Sequence, residues 1–311
     1  MDIKMADELH LNEFQAYLLA EDRSPVTIAG YVGDVHLFAQ WFEKQSLEPL
    51  PPIKLTNEAV RGYKQYLLEQ AAKPKTVNRR LAALAAYAHW LDQAGFVKNS
   101  RNPVQGVKAV KETELSPKWL DKKQRAALLR AVDKEVEDAT RRYPRLRLMV
   151  IRDAAIVRLI LFTGLRVGEI VQLRTSDVTL DERKGSIVVR EGKGTKRREV
   201  PLNSRIRKAL LDYLRVRPDV EGEGLFLGQR DEGIQGKTVQ RAVLRFAGEA
   251  GIENVTPHVL RHSFAKALID SGVTLEKVAT LLGHSNLNTT RIYTTPGERD
   301  LEEAVKTLDD F

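Results

Sequence analysis

TPHVLRHSFAKALIDSGVTLEKVATLLGHSNLNTTRIYT occupies residues 256–294. Thr256-Pro257 opens it as a helix start, a capping residue followed by proline at the first helical position. Arg261 lies three residues after His258 and His262 lies four after it, so each shares a helix face with His258. A second helical run reaches Leu281-Leu282 and stops at Gly283. A polar run follows, and Tyr293 stands nine residues beyond His284. Two readings compete. Either Tyr293 is a core residue behind a polar loop, or its phenol is a nucleophile placed near a phosphate.

The segments upstream carry compatible chemistry. TGLRVGEI, residues 163–170, puts Arg166 and Glu169 one helical turn apart, and Gly164 marks a helix break that brings the backbone close to something. A local Arg166–Glu169 ion pair is the plain alternative. GSIVVREGKGTKRREVPL, residues 185–202, alternates Ile187 and Val189, turns at Gly-Lys-Gly and returns to Val200. That pattern is a β-hairpin with a basic tip. GKGTK does not meet the phosphate-loop pattern, because Gly194 follows Lys193 where Ser or Thr is required. The His258/His262 spacing is that of a zinc-protease pair, but Val259 stands where the general base belongs, so no metal site is expected. The plain alternative for His262 is a packed or hydrogen-bonded side chain. Further helices are expected around 121–138, 148–163, 204–215, 237–250, 257–271, 274–282 and 299–309.

Residues 9–95 have a different character and predict four helices. Leu11, Phe14 and Leu18 begin the first stripe. Ser24-Pro25 starts the second, with Ile28, Tyr31, Val35, Phe38 and Phe42 recurring at helical spacing. Thr56 caps a third, carrying Val60, Tyr63 and Leu67. Thr76 is the expected cap of the fourth, with Val77, Leu81, Leu84, Ala88 and Leu91, and Gly95 stops it. Lys73, Lys75, Arg79 and Arg80 crowd its start, either to meet phosphates or as a solvated end. Residues 98–118 mix Pro, Gly and charge without periodicity and make a linker.

The 311 residues hold 50 Lys+Arg against 42 Asp+Glu, a net charge of +8. The excess is uneven. Residues 183–217 alone hold 12 basic and 3 acidic residues, a local surface suited to an anionic polymer. The absence of cysteine rules out disulfides, cysteine nucleophiles and cysteine-ligated zinc. No apolar run of about 18 residues exists to span a membrane, and the N-terminus lacks the apolar centre of a signal peptide. A cytoplasmic location fits.

Two arginines, a lysine, two histidines and a tyrosine form a set able to transfer a phosphoryl group without a metal or other cofactor. Guanidiniums hold non-bridging phosphate oxygens bidentately and keep their charge. A phenol, with a pKa near ~10, needs help to become a nucleophile at neutral pH. Histidine moves protons, and lysine can protonate a departing oxygen.

GLRVGEIVQL, GKGTKRREVPL and the 256–294 segment, in this order and spacing, resemble the tyrosine recombinases, or phage-type integrases, in particular simple two-domain Xer-like members. The resemblance implies a mainly α fold. A four-helix, SAM-like core-binding domain at 1–100 would lead through a linker at 101–118 to an α-rich catalytic domain at 119–311. The catalytic domain would carry a small antiparallel β-sheet and a docking helix at about 299–311, where Leu301, Ala304, Val305 and Leu308 form an apolar stripe. It also implies roles. Arg166 and Arg261 would clamp the scissile phosphate, supported by Glu169. Lys193 would be the general acid toward the leaving 5′ oxygen, with Lys196 its rival. His258 would transfer protons, His284 would donate a hydrogen bond to the phosphate, and Tyr293 would form a 3′-phosphotyrosine link. The expected partners are duplex DNA carrying a recombination site and three further copies, or a paired recombinase, in a tetramer on two sites. Binding to DNA is expected to weaken steeply with salt. The expected task is integration and excision or dimer resolution. A type IB topoisomerase and a non-catalytic DNA-binding regulator are the alternatives. Gly168 departs from the serine common in Xer-like chains, and Thr295-Pro296 follows the tyrosine where they show histidine. An arm-binding domain of the kind large phage integrases carry is not expected.

Overall fold

The computed structural model describes residues 9–97, 102–112, 118–142, 147–181, 183–190, 197–220, 222–228, 232–284 and 286–294. The chain divides into two compact units, Met1–Glu114 and Leu115–Phe311.

The first unit is helical: α1 (Leu11–Ala20), α2 (Pro25–Ser46), α3 (Asn57–Glu69) and α4 (Pro74–Gln93). Ser24 caps α2 through its side-chain oxygen, which accepts from Thr27 N at 3.2 Å, and Thr56 caps α3 in the same way from Ala59 N at 3.2 Å. The expected Thr76 cap is corrected. Here α4 begins earlier, at Pro74 with Lys73 in the N-cap position, because proline's fixed φ and missing N–H suit the first helical residue. The stripes Leu11/Phe14/Leu18, Ile28/Val35/Phe38, Val60/Tyr63/Leu67 and Val77/Leu81/Leu84/Ala88/Leu91 are buried in one core. Two of the basic residues at the start of α4 are occupied within the unit. Arg79 pairs with the buried Asp34 of α2, and Arg80 donates to the Tyr63 hydroxyl at 2.9 Å.

The second unit surrounds one helix. It contains α5 (Lys122–Arg142), α6 (Arg147–Thr163), α7 (Val167–Gln172), α8 (Ser204–Leu214), α9 (Gly236–Glu249), α10 (Pro257–Asp270), α11 (Leu275–Leu282) and α12 (Asn288–Arg291). Between α7 and α8 lie strands β1 (Val178–Leu180), β2 (Gly185–Arg190) and β3 (Arg197–Pro201). α6 is buried along nearly its whole length and touches α5, α8, α9 and α10. A helix apolar on all sides belongs at the centre of a core. The buried pair Arg152–Asp153 within it is satisfied in place. Arg152 donates to Asp153 at 2.7 and 2.9 Å and to the Leu227 carbonyl at 2.7 Å.

The strands form an antiparallel sheet in the order β1-β2-β3. The register sets Ile187 opposite Val200 and Val189 opposite Arg198. Because strand side chains alternate, Arg198 shares the inner face with Val200, while Arg197 and Glu199 are exposed. Sequence periodicity reveals the hairpin but not β1, whose three residues are too few to alternate visibly. The expected helix at 299–309, the Gly-Lys-Gly turn, Lys193 and Lys196 lie outside the described residues.

α6 ends at Gly164 in the left-handed region (φ 67°), and a Cβ there would come within 2.5 Å of the Phe264 ring and 2.7 Å of Leu282. Gly164→Ala is therefore expected to cost at least about 1–3 kcal/mol in a urea titration. Gly168 sits in α7, where an added Cβ would meet nothing within 4 Å. Gly168→Ala should be neutral or stabilising by up to about 1 kcal/mol. Equal effects of the two changes would contradict this assignment of Gly164.

Candidate active site

The site forms where α6, α10, α11 and β3 each deliver one part. Past Gly164, Arg166 takes the N-cap position of α7, and its backbone N–H donates to Glu169 Oε2 at 2.7 Å. Its guanidinium donates to Glu169 Oε1 at 3.0 Å and to the Gly283 carbonyl at 3.3 Å. The local ion pair and the close backbone approach suggested by TGLRVGEI are therefore both present. β3 supplies Arg198, which grips Glu169 with two hydrogen bonds of 2.9 Å and donates from Nε to the Leu281 carbonyl at 3.1 Å. α10 supplies Arg261, buried at 4 % exposure. It donates to the Gly164 carbonyl, to the Leu282 carbonyl at 2.8 Å, and lies 3.0 Å from His284 Nε2.

The end of α11 explains the convergence. Gly283 adopts φ 64°, His284 N donates to Ala279 O at 3.0 Å, and Gly283 N donates to Thr280 O at 3.1 Å. This pattern is a Schellman motif, which requires a residue tolerant of the left-handed conformation. It leaves the carbonyls of Leu281, Leu282 and Gly283 without helical partners, at the negative end of the helix dipole. Each accepts from a different arginine: Arg198, Arg261 and Arg166. The Gly-His dipeptide thus makes both the helix stop and the seat for the arginines.

His284 follows with its tautomer dictated by its neighbours. A guanidinium only donates, so Nε2 facing Arg261 must be the bare nitrogen. The proton then sits on Nδ1, which bonds the fully buried Thr290 Oγ1 at 2.8 Å. Burial, and after it Arg261, Arg166 and Arg198, push the imidazole pKa down to about 4, so the ring is neutral. In this arrangement Nε2 accepts a hydrogen bond, and donation to a phosphate would need a second proton.

Tyr293 lies just past α12, its N–H bonded to the Thr290 carbonyl at 3.1 Å. Its ring packs with Phe264, Ala265, Val278 and Leu282, and the residue is 1 % exposed. Its hydroxyl lies 2.6 Å from His262 Nδ1. Burial raises the phenol pKa, and the charges of Arg261 and Arg166 only partly offset that rise. His258 is exposed and stands one turn before the half-buried His262 on α10, the two rings 6.5 Å apart.

The structure therefore brings together Arg166, Glu169, Arg261, His284 and Tyr293, with His258 beside them on α10. Three further participants do not stand out in the sequence as parts of this site. Arg198 is legible in principle, because strand alternation sets it in phase with Val200. His262 reads locally as packed or hydrogen-bonded, and its partner proves to be Tyr293. Thr290 carries no signal in an otherwise polar run.

Comparison with known proteins gives this site its context. Residues 118–299 match the Phage integrase family, and residues 11–95 match the Phage integrase N-terminal SAM-like domain. The chain belongs to the phage integrase family of tyrosine recombinases. It is 31% identical to the tyrosine recombinase XerC of Corynebacterium glutamicum over 94% of this chain and 89% of that one. It is 30% identical to XerD of Listeria innocua over 95% of this chain and 97% of that one. Among solved structures, it resembles the XerH site-specific recombinase bound to a palindromic difH substrate in a post-cleavage complex, with a TM-score of 0.70 and 26% identity, covering 93% and 82% of the two chains. A lambda integrase dimer bound to a COC′ core site shares the fold, with a TM-score of 0.66 at 17% identity, covering 91% and 93% of the two chains. The enzyme is thus a site-specific recombinase that cuts and rejoins DNA.

Glu169 is the hinge of the electrostatics. Burial pushes its carboxyl up, but hydrogen bonds and charge from Arg198 and Arg166 outweigh this and hold it below its ordinary value of 4.5. Glu169→Gln leaves three guanidiniums facing one another and should destabilise the second unit by about 3 kcal/mol at pH 7, near the lower bound for breaking a buried pair because Arg166 is 40% exposed. A depressed carboxyl contributes fully above its unfolded pKa and loses that contribution as pH falls through the folded value. The stability gap between wild type and Glu169→Gln should therefore narrow between pH 6 and pH 3. A constant gap across that range would contradict the assignment.

Proposed function

We propose that Tyr293 is the nucleophile and that Arg166 and Arg261 hold the scissile phosphate. The observation carrying this reading is the gathering of three guanidiniums around a single carboxylate. The cluster keeps a net positive charge and shares a wall with the phenol. A phosphodiester under attack develops charge on its non-bridging oxygens, and preorganised cationic donors stabilise that charge. Tyr293 Oη bonds to phosphorus and the P–O5′ bond breaks, giving a 3′-phosphotyrosine. Lys193 is assigned the proton delivered to the 5′ oxygen, with Lys196 the alternative. His258 is assigned to proton transfer, and His284, once protonated, to a hydrogen bond with the phosphate. Because the covalent link conserves the energy of the phosphodiester, a 5′ hydroxyl from a second strand can reverse the step without ATP.

Residues 1–100 are assigned to DNA binding, 101–118 to a linker and 119–311 to catalysis. Exchange between two duplexes requires four strand cleavages, which supports a tetramer on two recombination sites, joined through the segment at about 299–311. The protein would act in the cytoplasm. Among the described residues, no helix is long and apolar enough to cross a membrane. Integration and excision or dimer resolution is the proposed task.

Tyr293→Phe should retain DNA affinity yet form no covalent adduct on a nicked suicide duplex. Arg261→Ala should slow adduct formation by about 10²–10³-fold or more. Gel analysis of the trapped adduct reads both, and an adduct formed by Tyr293→Phe would refute the assignment.

A further inference from the structure

We infer that His262 is the general base for Tyr293, taking the phenol proton at Nδ1 as the nucleophile attacks and returning it when the link is reversed. This role rests on the proposed assignment of Tyr293 as nucleophile. The resemblance assigns proton transfer to His258, but the hydroxyl of Tyr293 is bonded to His262. The contact is 2.6 Å, the ring centroids are 5.5 Å apart and inclined at 53°, and the phenol is otherwise enclosed by Phe264, Ala265, Val278 and Leu282.

The protonation states of the pair follow from their surroundings. The titratable and charged groups acting on the pair are His258 and Arg261 from α10, His284 from the segment after α11, and Arg166 from the loop after α6. Burial, then His258 and Arg261, hold the His262 imidazole below its ordinary pKa, so it is neutral at pH 7. The phenol, held above its own ordinary value by burial, is protonated. In the tautomer that leaves Nδ1 bare, the phenol donates and the imidazole accepts, the relation an activated hydroxyl nucleophile has to its base. The proton balance closes. As the Oη–P bond forms and the P–O5′ bond breaks, the phenol proton passes to His262 and the 5′ oxygen receives one from the lysine. Attack by a 5′ hydroxyl reverses both transfers. His262 accordingly contacts the reacting atom, whereas the His258 ring stands one turn away, its centroid 6.5 Å from that of His262.

The test is single-turnover adduct formation by the full chain on a nicked suicide duplex from pH 6 to pH 9.5. His262→Asn keeps a polar atom near the position of Nδ1 but cannot take a proton, and His262→Phe keeps the ring volume should the first variant fold poorly. DNA affinity measured by gel retardation confirms folding. At pH 7 the adduct rate should fall about 10²–10⁴-fold. In the variants it should then climb roughly tenfold per pH unit toward the phenol's own titration, which burial sets above its ordinary value, whereas the wild-type rate levels off. Replacing Tyr293 by a fluorotyrosine of lower pKa should restore more rate to the His262 variants than to wild type. A variant rate within threefold of wild type would overturn the inference. So would a loss of equal size at every pH that fluorotyrosine leaves unchanged, because that pattern belongs to packing alone. An adduct formed by Tyr293→Phe would instead remove the nucleophile assignment itself.

Discussion

Three guanidiniums held against one carboxylate and one helix end are the constraint on which the rest of this site depends. Arg166, Arg198 and Arg261 repel one another, and clustering them in a part-buried site demands compensation. Glu169 supplies a full negative charge through bonds to Arg166 and Arg198. The C-terminal carbonyls of α11 supply partial negative charge to all three. This compensation is incomplete, so the site retains an appetite for an anion. The geometry is also set before any anion arrives, which is the condition under which electrostatic stabilisation of a transition state is strongest. Two glycines make the arrangement possible. Gly164 lets the chain leave α6 with its carbonyl turned to Arg261, and Gly283 lets α11 end in a Schellman motif whose spare carbonyls point at the arginines.

Burial first, and the positive field after it, set the protonation of the histidines and the tyrosine around the cluster. His284 is forced neutral, with its bare nitrogen on Arg261 and its proton on Thr290. His262 is neutral as well, pressed by burial, His258 and Arg261. Tyr293 feels the arginines in the opposite sense, but burial outweighs them and the phenol keeps its proton. A phosphate entering the cluster would weaken the field on His284. It would draw Arg261 away from His284, raise that imidazole's affinity for a second proton, and turn Nε2 from acceptor into donor. With Nδ1 of His262 bare, this resting proton inventory is the one the proposed attack by Tyr293 requires at its start.

Much of this is legible in the sequence, for reasons that differ by element. The stripes of α1 to α4 are long and regular, and tertiary packing has no cause to override them. The start of α4 is harder to place, because Thr76 is a good cap by type whereas Pro74 fixes the helix start by its backbone. The Arg166–Glu169 turn offers two readings, ion pair or close backbone approach, and the fold adopts both. Arg198 is hidden because one basic residue among the three in KRREVPL is distinguished only by strand phase. The partnership of His262 with Tyr293 joins residues 31 positions apart, and no local spacing rule reaches that far. Strand β1, three residues long, lies below the length at which alternation has meaning.

The arginine clamp is tested most directly by a crystal structure of the Tyr293→Phe protein on its recombination site. Arg166 and Arg261 should both lie within about 2.7–3.2 Å of the non-bridging oxygens of one phosphate, with Glu169 still bonded to Arg198 and the residue 293 ring beside that phosphorus. A scissile phosphate bound elsewhere, with the arginines still seated on the carbonyls of α11, would contradict the clamp.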